Sequence, residues 1–136
     1  MKKLCLVVFL ACTIPAFGAE KRALVLDDLH RLKSLGELAL SPDGKTAAFT
    51  VADSDFRKGK QSRAIWLMDA DGGNLRQATS GDFGDSSPFF SPDGRTLGFV
   101  SNRSGSDQIY LLPLSGGEPK KLTSINTGIS GPLWSP

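Results

Sequence analysis

The chain has 136 residues, with 16 basic and 14 acidic side chains and a formal net charge of +2 at pH 7. No basic block and no basic stripe interleaved with aromatic residues occurs, which argues against a nucleic-acid partner. Its two cysteines, Cys5 and Cys12, both lie close to the N-terminus, so the remainder of the chain has no disulfide or thiol chemistry.

Residues 1–18 are predicted to be a secretory signal peptide. Lys2 and Lys3 form a positive end, an apolar run over residues 4–14 is too short to span a bilayer, and small residues precede a cleavage site after Gly18. The alternative is a lipoprotein signal ending at Cys12, although Phe9 and Leu10 fit a lipobox poorly. We therefore expect a periplasmic or secreted protein without a stable membrane anchor. Removal of both lysines would leave 14 basic and 14 acidic side chains, a net charge of zero.

Residues 19–36 are expected to form a lead-in that contains one short helix. Asp27 can cap its start, three leucines at positions 29, 32 and 35 share a helical face, and Gly36 can end it. His30, the sole histidine, lies on this segment without a partner. We interpret it as a surface or packing residue.

A repeat occupies the rest of the chain. The sequence Ser-Pro-Asp-Gly at 41–44 recurs at 91–94, and its first two residues appear again at 135–136. The run Ile-Trp-Leu-Met from Ile65 returns 44 residues later as Ile-Tyr-Leu-Leu from Ile109. A period of this length, with several short strands in each unit, is typical of a β-propeller blade.

Each repeat unit predicts four short strands. Ser-Pro-Asp-Gly suits a hairpin turn after a short apolar first strand, and the later strands are separated by polar and glycine-rich turns. The predicted second, third and fourth strands are 46–51, 64–69 and 75–79 in one unit, and 96–101, 108–112 and 120–123 in the next. The six extra residues of the first unit fall between Phe49 and Ile65, and small residues at Ala48 and Gly98 suit close packing between blades.

These patterns predict an all-β chain that forms a partial propeller over residues 37–136. Two four-stranded blades are expected at about 37–80 and 87–124, with the first strand of a third at 131–136. Because propellers close with about four to eight blades, two blades leave their outer faces bare. We therefore expect a fragment, or the product of a truncated gene, that is marginally stable or self-associating by itself.

Several strings resemble the TolB-like propeller repeat: Ser-Pro-Asp-Gly-Lys/Arg, the Ile-Trp/Tyr-Leu strand, Gln-Ala-Thr at 77–79 and Gly-Gly-Glu-Pro-Lys-Lys-Leu-Thr at 116–123. That repeat occurs in the N-terminal propeller of serine peptidases of the prolyl oligopeptidase family, in the acylaminoacyl-peptidase and dipeptidyl-peptidase branch. It also occurs in the periplasmic protein TolB. The lead-in over residues 28–44 looks like the opening of the peptidase propeller.

The resemblance to the peptidases implies a non-catalytic propeller that gates and positions a peptide substrate. The catalytic serine, aspartate and histidine of that family lie in a C-terminal α/β-hydrolase domain, which these 136 residues do not contain. One alternative is a TolB-type propeller that binds protein partners in the periplasm. Another is a non-functional product of a truncated gene.

No catalytic, cofactor-binding or metal-binding residue is predicted. A nucleophile elbow needs Gly-x-Ser-x-Gly, and the nearest string, around Ser130, ends in Pro132. The acidic stretch at 69–74 imitates a calcium loop, but Asn74 stands where the loop needs glycine and Ser80 where it needs glutamate, so a hairpin turn is expected. The dipeptidyl-peptidase branch holds its substrate amine with paired glutamates, whereas Glu20, Glu37 and Glu118 are not adjacent.

The large aromatic residues are predicted to pack rather than to stack on ligands. Trp66 and Tyr110 hold equivalent third-strand positions, and Trp134 aligns with Phe90 of the first strand. All have apolar neighbours in the sequence, as expected for residues of a blade core.

Overall fold

Eight strands form two antiparallel sheets. The computed structural model describes residues 32–55 and 59–135, together with Ala23, Val25 and Asp28. In these residues the strands are β1 (Lys33–Leu40), β2 (Thr46–Asp55), β3 (Lys60–Asp69), β4 (Arg76–Gln77), β5 (Asp85–Phe90), β6 (Thr96–Ser101), β7 (Gln108–Pro113) and β8 (Lys120–Lys121). They pair in the orders β1-β2-β3-β4, here named blade 1, and β5-β6-β7-β8, named blade 2. The predicted all-β partial propeller is confirmed.

The six-residue insertion lengthens one hairpin of blade 1. Strands β2 and β3 have 10 residues each, whereas β6 and β7 have 6 each. Their register is continuous from Thr46 opposite Asp69 to Asp55 opposite Lys60. The fourth strands, β4 and β8, are two residues long and thus shorter than predicted.

The prediction that the lead-in helix continues to Gly36 is wrong. Residues 33–36 belong to β1, where Lys33 lies opposite Asp53 and Leu35 opposite Val51. The elongated β2 offers backbone partners to this segment, and a ladder of hydrogen bonds outweighs a weak local helix propensity. Most of the earlier part of that helix, and the signal peptide, lie outside the described residues. Within the described residues, no helix is long and apolar enough to cross a membrane.

The Ser-Pro-Asp-Gly turns close both first hairpins in the same way. In blade 1 the Gly44 N–H donates to the Ser41 carbonyl over 2.8 Å, and Gly44 has a φ of 70°. The Ser41 hydroxyl donates to the Asp43 carboxylate over 2.6 Å and accepts from the Thr46 N–H over 2.9 Å. Blade 2 repeats each contact around Ser91. The predicted type I hairpin turn thus includes a serine–aspartate contact that locks it locally.

The core lies between the two blades. Blade 1 presents small and aliphatic residues to blade 2, on what we name the back face: Ala39, Ala48, Ile65 and Leu67. Blade 2 presents larger residues in return, on its front face: Phe90, Leu97, Phe99, Tyr110 and Leu112. The rings of Phe99 and Tyr110 stack at 5.9 Å. The small residues of blade 1 let the aromatic residues of blade 2 approach closely. The interface therefore joins the back face of blade 1 to the front face of blade 2.

Candidate functional site

The inner strands β1 and β5 are the point at which the blades converge. Strand β5 contacts β1, β2 and β3, whereas, in the described part of the chain, β4 contacts only β3 and β8 only β7. The two sheets therefore form a wedge that is closed at the first strands and open at the fourth. In a propeller the closed side of such a wedge faces the central axis.

Both inner strands carry a β-bulge, at repeat positions that overlap but differ by one residue. The register of β1 shifts between Leu35 and Leu38, and that of β5 shifts between Ser86 and Phe89. Ser87, in the second bulge, has a φ of 48°, in the left-handed region that non-glycine residues rarely adopt. Bulges re-aim side chains and backbone groups, and here both lie beside the inner edge of the wedge.

The Glu37 carboxylate joins the two bulges. Its Oε2 accepts a hydrogen bond from the Ser87 N–H, an interaction between residues 50 positions apart in the chain. This N–H points away from the ladder of its own sheet because Ser87 lies in the bulge. A carboxylate that accepts from a backbone N–H makes a charge-assisted bond, which helps to hold Ser87 in its unusual conformation.

A cavity of about 360 Å³ lies next to this contact. Its walls combine backbone and side chains of β1, β2 and β3: Ser34, Leu35, Gly36, Glu37, Thr50, Ala52, Gln61 and Arg63. A side chain at Gly36 would fill part of it, because a Cβ there would lie 2.7 Å from the Thr50 hydroxyl. The glycine at this position therefore keeps the cavity open between β1 and β2.

The chemistry of this cavity suits binding rather than bond cleavage. Glu37 supplies a carboxylate, Arg63 a guanidinium, and Gln61 an amide that can both donate and accept. Among the described residues no ion-pair partner of Arg63 is found, so its guanidinium is available to a carbonyl or carboxylate of a ligand. The lining contains serine and threonine but no histidine, and its Glu37 carboxylate already accepts from the Ser87 N–H.

A buried ion pair fixes the neighbouring end of the interface between blades. The Arg103 guanidinium donates to both carboxylate oxygens of Asp85, over 3.1 and 3.0 Å. The same guanidinium lies 5.2 Å from the ring centres of Phe83 and Phe99 and 5.0 Å from that of Tyr110. Arg103 thus binds the segment between the blades to the front face of blade 2, by charge and by cation–π contact.

A second cavity, of about 370 Å³, separates the two Ser-Pro-Asp-Gly turns. Asp43 and Asp93 both line it. The Ser41 hydroxyl, and next the Lys45 N–H, lower the pKa of Asp43 below its usual 3.8. Ser91 and the Arg95 N–H do the same for the pKa of Asp93. Both carboxylates already accept hydrogen bonds that close their own turns, so this cavity carries a weaker case for a binding site than the one beside Glu37.

Within the described part of the chain, the strings that resemble catalytic or metal motifs do not form a site. Ser130 is exposed in an irregular segment, and His30 lies outside the described residues. The calcium-like stretch forms the predicted hairpin turn, in which the Gly72 N–H donates to the Asp69 carbonyl and the Asp69 N–H donates to the Gly73 carbonyl, each over 2.9 Å. Over the residues that the structure describes, no cluster of three metal-ligating side chains occurs.

Of the three large aromatic residues, Tyr110 packs in the core as predicted, whereas Trp66 lies on the opposite face of blade 1 and Trp134 is 40% exposed. Tyr110 is buried against Phe99, Trp66 is half-buried opposite Phe49, and the Trp134 ring meets Phe89 edge to face at 6.1 Å. Sequence analysis missed the role of Glu37, which it considered only as an unpaired glutamate. The alignment of Gly36 and Glu37 with Ser86 and Ser87 marks the shared bulge, but nothing in the sequence shows that the two bulges touch.

The family profile described as TolB beta propeller domain matches residues 33–136. The chain is 37% identical over 117 residues to the uncharacterized peptidase YuxL of Bacillus subtilis, which covers 85% of the chain and 18% of that protein. It is 36% identical over 105 residues to dipeptidyl-peptidase 5 of Porphyromonas gingivalis, with 77% of the chain and 15% of that protein covered. It is 46% identical over 55 residues to the Tol-Pal system protein TolB of Bordetella pertussis, with 40% of the chain and 13% of that protein covered. The chain therefore spans less than a fifth of the length of each of these relatives.

Proposed function

The chain belongs to the TolB beta propeller domain family, and from this we propose that it is part of the propeller of an exported serine peptidase. In this proposal the two blades gate the entry of peptides and position them, and the cleavage takes place in a hydrolase domain elsewhere in the longer protein. The signal peptide predicted at residues 1–18 would direct that protein to the periplasm or the exterior.

The extent of the similarity to peptidases carries the proposal. The two peptidases align with 85% and 77% of the chain, so the similarity runs through both blades, whereas the TolB protein aligns with 40%. A chain that shared only the propeller repeat with these peptidases could align with them over a single blade.

The cavity beside Glu37 supports a role in handling peptides. An extended peptide offers backbone N–H donors and carbonyl acceptors along its length, together with charged ends. Glu37 can accept from an N–H or an amine, and Arg63 can donate to a carbonyl or a carboxylate. Glu37 lies on the inner strand β1, where a peptide that passes along the propeller axis would meet it, and Arg63 lines the same cavity from β3.

The test is made on the native protein in the source cells. An antibody raised against residues 36–136 is used to recover the protein, which is then treated with a fluorophosphonate probe that labels active serine hydrolases. We expect a product several times larger than 14.5 kDa that carries the label. Its hydrolysis of short peptides should exceed that of long or folded substrates. A large product without label and without peptidase activity would overturn the proposal.

A TolB-type protein-binding propeller is the second candidate. It is favoured by the higher identity, 46%, to the TolB protein over the 55 residues that align. In that case the recovered product is also larger than 14.5 kDa but stays unlabelled, and chemical cross-linking in the cells captures it with protein partners. A product of the chain's own size, without either property, would instead agree with a truncated gene.

A further inference from the structure

The cavity beside Glu37 lies on a part of blade 1 that has no equivalent in blade 2. Two of its polar side chains, Gln61 and Arg63, belong to the start of β3, which has 10 residues where β7 has 6. In the repeat alignment Arg63 corresponds to Asp107, which precedes β7. The cavity is therefore an addition to the repeat, and the packing that all blades share does not explain it.

This cavity faces blade 2 and is bounded by parts of the chain that are present. Arg63 shares its side of β3 with Ile65, and Thr50 shares its side of β2 with Ala48, so all four lie on the back face of blade 1. The Arg63 N–H also donates to the Phe83 carbonyl, in the segment that leads to β5, over 2.8 Å. Further blades of a longer propeller would pack on the front face of blade 1, opposite to the core, and on the back face of blade 2. They would leave the walls of this cavity unchanged.

Arg63 brings a positive charge into the cavity that is not neutralised by the described residues. Its side chain is partly buried and belongs to none of the ion pairs found among them. Glu37 differs, because its Oε2 already accepts from the Ser87 N–H of blade 2. A guanidinium binds a carboxylate through two parallel hydrogen bonds, which are stronger than bonds between neutral groups. The free cation therefore favours a ligand that carries a carboxylate.

We propose that Arg63 binds the carboxylate of a peptide in this cavity and makes the propeller selective for peptides that carry one. The inference rests on the proposed function, because it takes the ligand to be a peptide. Gln61 lines the same cavity and can donate to the carboxylate or accept from a peptide N–H. The volume of about 360 Å³ suits one chain end or one side chain. The carboxylate belongs either to the C-terminus of the peptide or to an acidic side chain.

The experiment measures peptide binding by the native protein, recovered with the antibody against residues 36–136 and treated with the fluorophosphonate so that peptides are not cleaved. Fluorescence anisotropy compares three short peptides of alanine and serine, each with an uncharged fluorophore at its N-terminus. The first has a free C-terminal carboxylate, the second a C-terminal amide, and the third a C-terminal amide and one glutamate. We expect the free acid to bind at least about tenfold more tightly than the amide at physiological salt. The third peptide identifies the source of the carboxylate: it binds like the acid if side chains are accepted, and like the amide if only the C-terminus is.

Variants made in the gene of the source cells test the residue. Arg63→Gln should abolish the preference for the acid, and Arg63→Lys, which keeps the charge without the planar fork, should retain part of it. Arg76→Gln removes the same charge from the exposed strand β4, outside the cavity, and should leave the preference unchanged. Gly36→Ala should weaken binding of the acid, because its methyl group would enter the cavity 2.7 Å from the Thr50 hydroxyl. Thermal unfolding checks that each variant is folded.

Three results would overturn the inference: equal binding of acid and amide by the parent protein, a preference that survives in Arg63→Gln, or an equal loss in Arg76→Gln. The proposed function is judged separately, by the fluorophosphonate label and by peptide hydrolysis. A labelled, active protein without a preference for the acid would overturn this inference alone. An unlabelled, inactive protein whose preference for the acid depends on Arg63 would overturn the proposed function alone.

Discussion

Leu40 of blade 1 and Phe90 of blade 2 hold the same place in the repeat, but Leu40 is 59% exposed and Phe90 is 8% exposed. The same contrast holds for Phe49, which is half-buried, and Phe99, which is fully buried. The two blades have the same strand order and the same first turn. Burial in this fold is thus decided by which neighbour a blade has, and not by the blade's own sequence.

The largest expected difference in stability between the blades comes from the phenylalanines at equivalent repeat positions, Phe99 and Phe49. Phe99→Ala should destabilise the chain by about 3–5 kcal/mol, because it removes a ring that is enclosed by both blades. Phe49→Ala should cost less than half as much in a monomeric chain, since one side of that ring has no neighbouring blade. Urea unfolding followed by tryptophan fluorescence measures both. Equal losses for the two variants would mean that the front face of blade 1 is already covered in solution.

A second pair of variants compares ion pairs. Arg103→Ala leaves the Asp85 carboxylate buried without its cation and should cost about 3 kcal/mol or more. The exposed pair of Lys33 and Asp53, 3.5 Å apart in blade 1, should contribute less than about 1 kcal/mol. Arg103→Lys keeps the charge but loses the separate Nε–H bond to the Ser101 hydroxyl, so its cost in stability should fall between these two values. The free energy of unfolding of each variant, measured at low and high salt, separates the buried pair from the screened one.

Substitutions on the back faces of the two blades should change the free energy of unfolding by smaller amounts. A Cβ at Gly98 would lie 2.2 Å from the Phe89 ring, so Gly98→Ala should cost about 1–3 kcal/mol through displacement of that ring. Ala48→Gly makes the opposite change at the matching position and should cost about 1 kcal/mol, mainly through greater freedom of the unfolded chain. The double variant Gly98→Ala with Phe89→Ala should lose less stability than the sum of the two single losses, because the clash is then absent. Additive losses would mean that the clash is not the cause.

Substitution of the serine in each first turn should cause the smallest loss of stability. The loss should be equal in the two blades. Ser41→Ala and Ser91→Ala each remove two hydrogen bonds and should cost about 1 kcal/mol. The folded-state pKa of each partner aspartate is lowered, so its contribution to stability is present above the ordinary pKa of 3.8 and is lost as the pH falls below it. Each alanine variant should raise the pKa of Asp43 or Asp93 toward 3.8. Carboxyl NMR titration measures this shift, and an unchanged pKa would assign the lowering to the backbone N–H donors instead.

Local patterns in the sequence predicted most of the fold. The turns at 41–44 and 91–94 and the strands that follow them were found because each repeats a short-range signal with its own hydrogen bonds. The start of β1 was missed, because residues 33–36 are held by the extension of β2 and not by their own composition. The contact between Glu37 and Ser87 could not be predicted, since it depends on how two bulges from different blades meet. The Arg103 contacts were missed because Asp85 is 18 residues away in the chain, and no local pattern joins the two side chains.

The first turns also bear on the order in which the chain acquires its structure. All contacts of the Ser41 hydroxyl lie within five residues along the sequence. A hairpin closed by such short-range bonds can form on a timescale of about 1–10 μs, long before two sheets find each other. The packing of Ile65 and Leu67 against Phe99 needs both sheets in place. Each blade can therefore form as soon as its own residues are available, and the interface between the blades forms last.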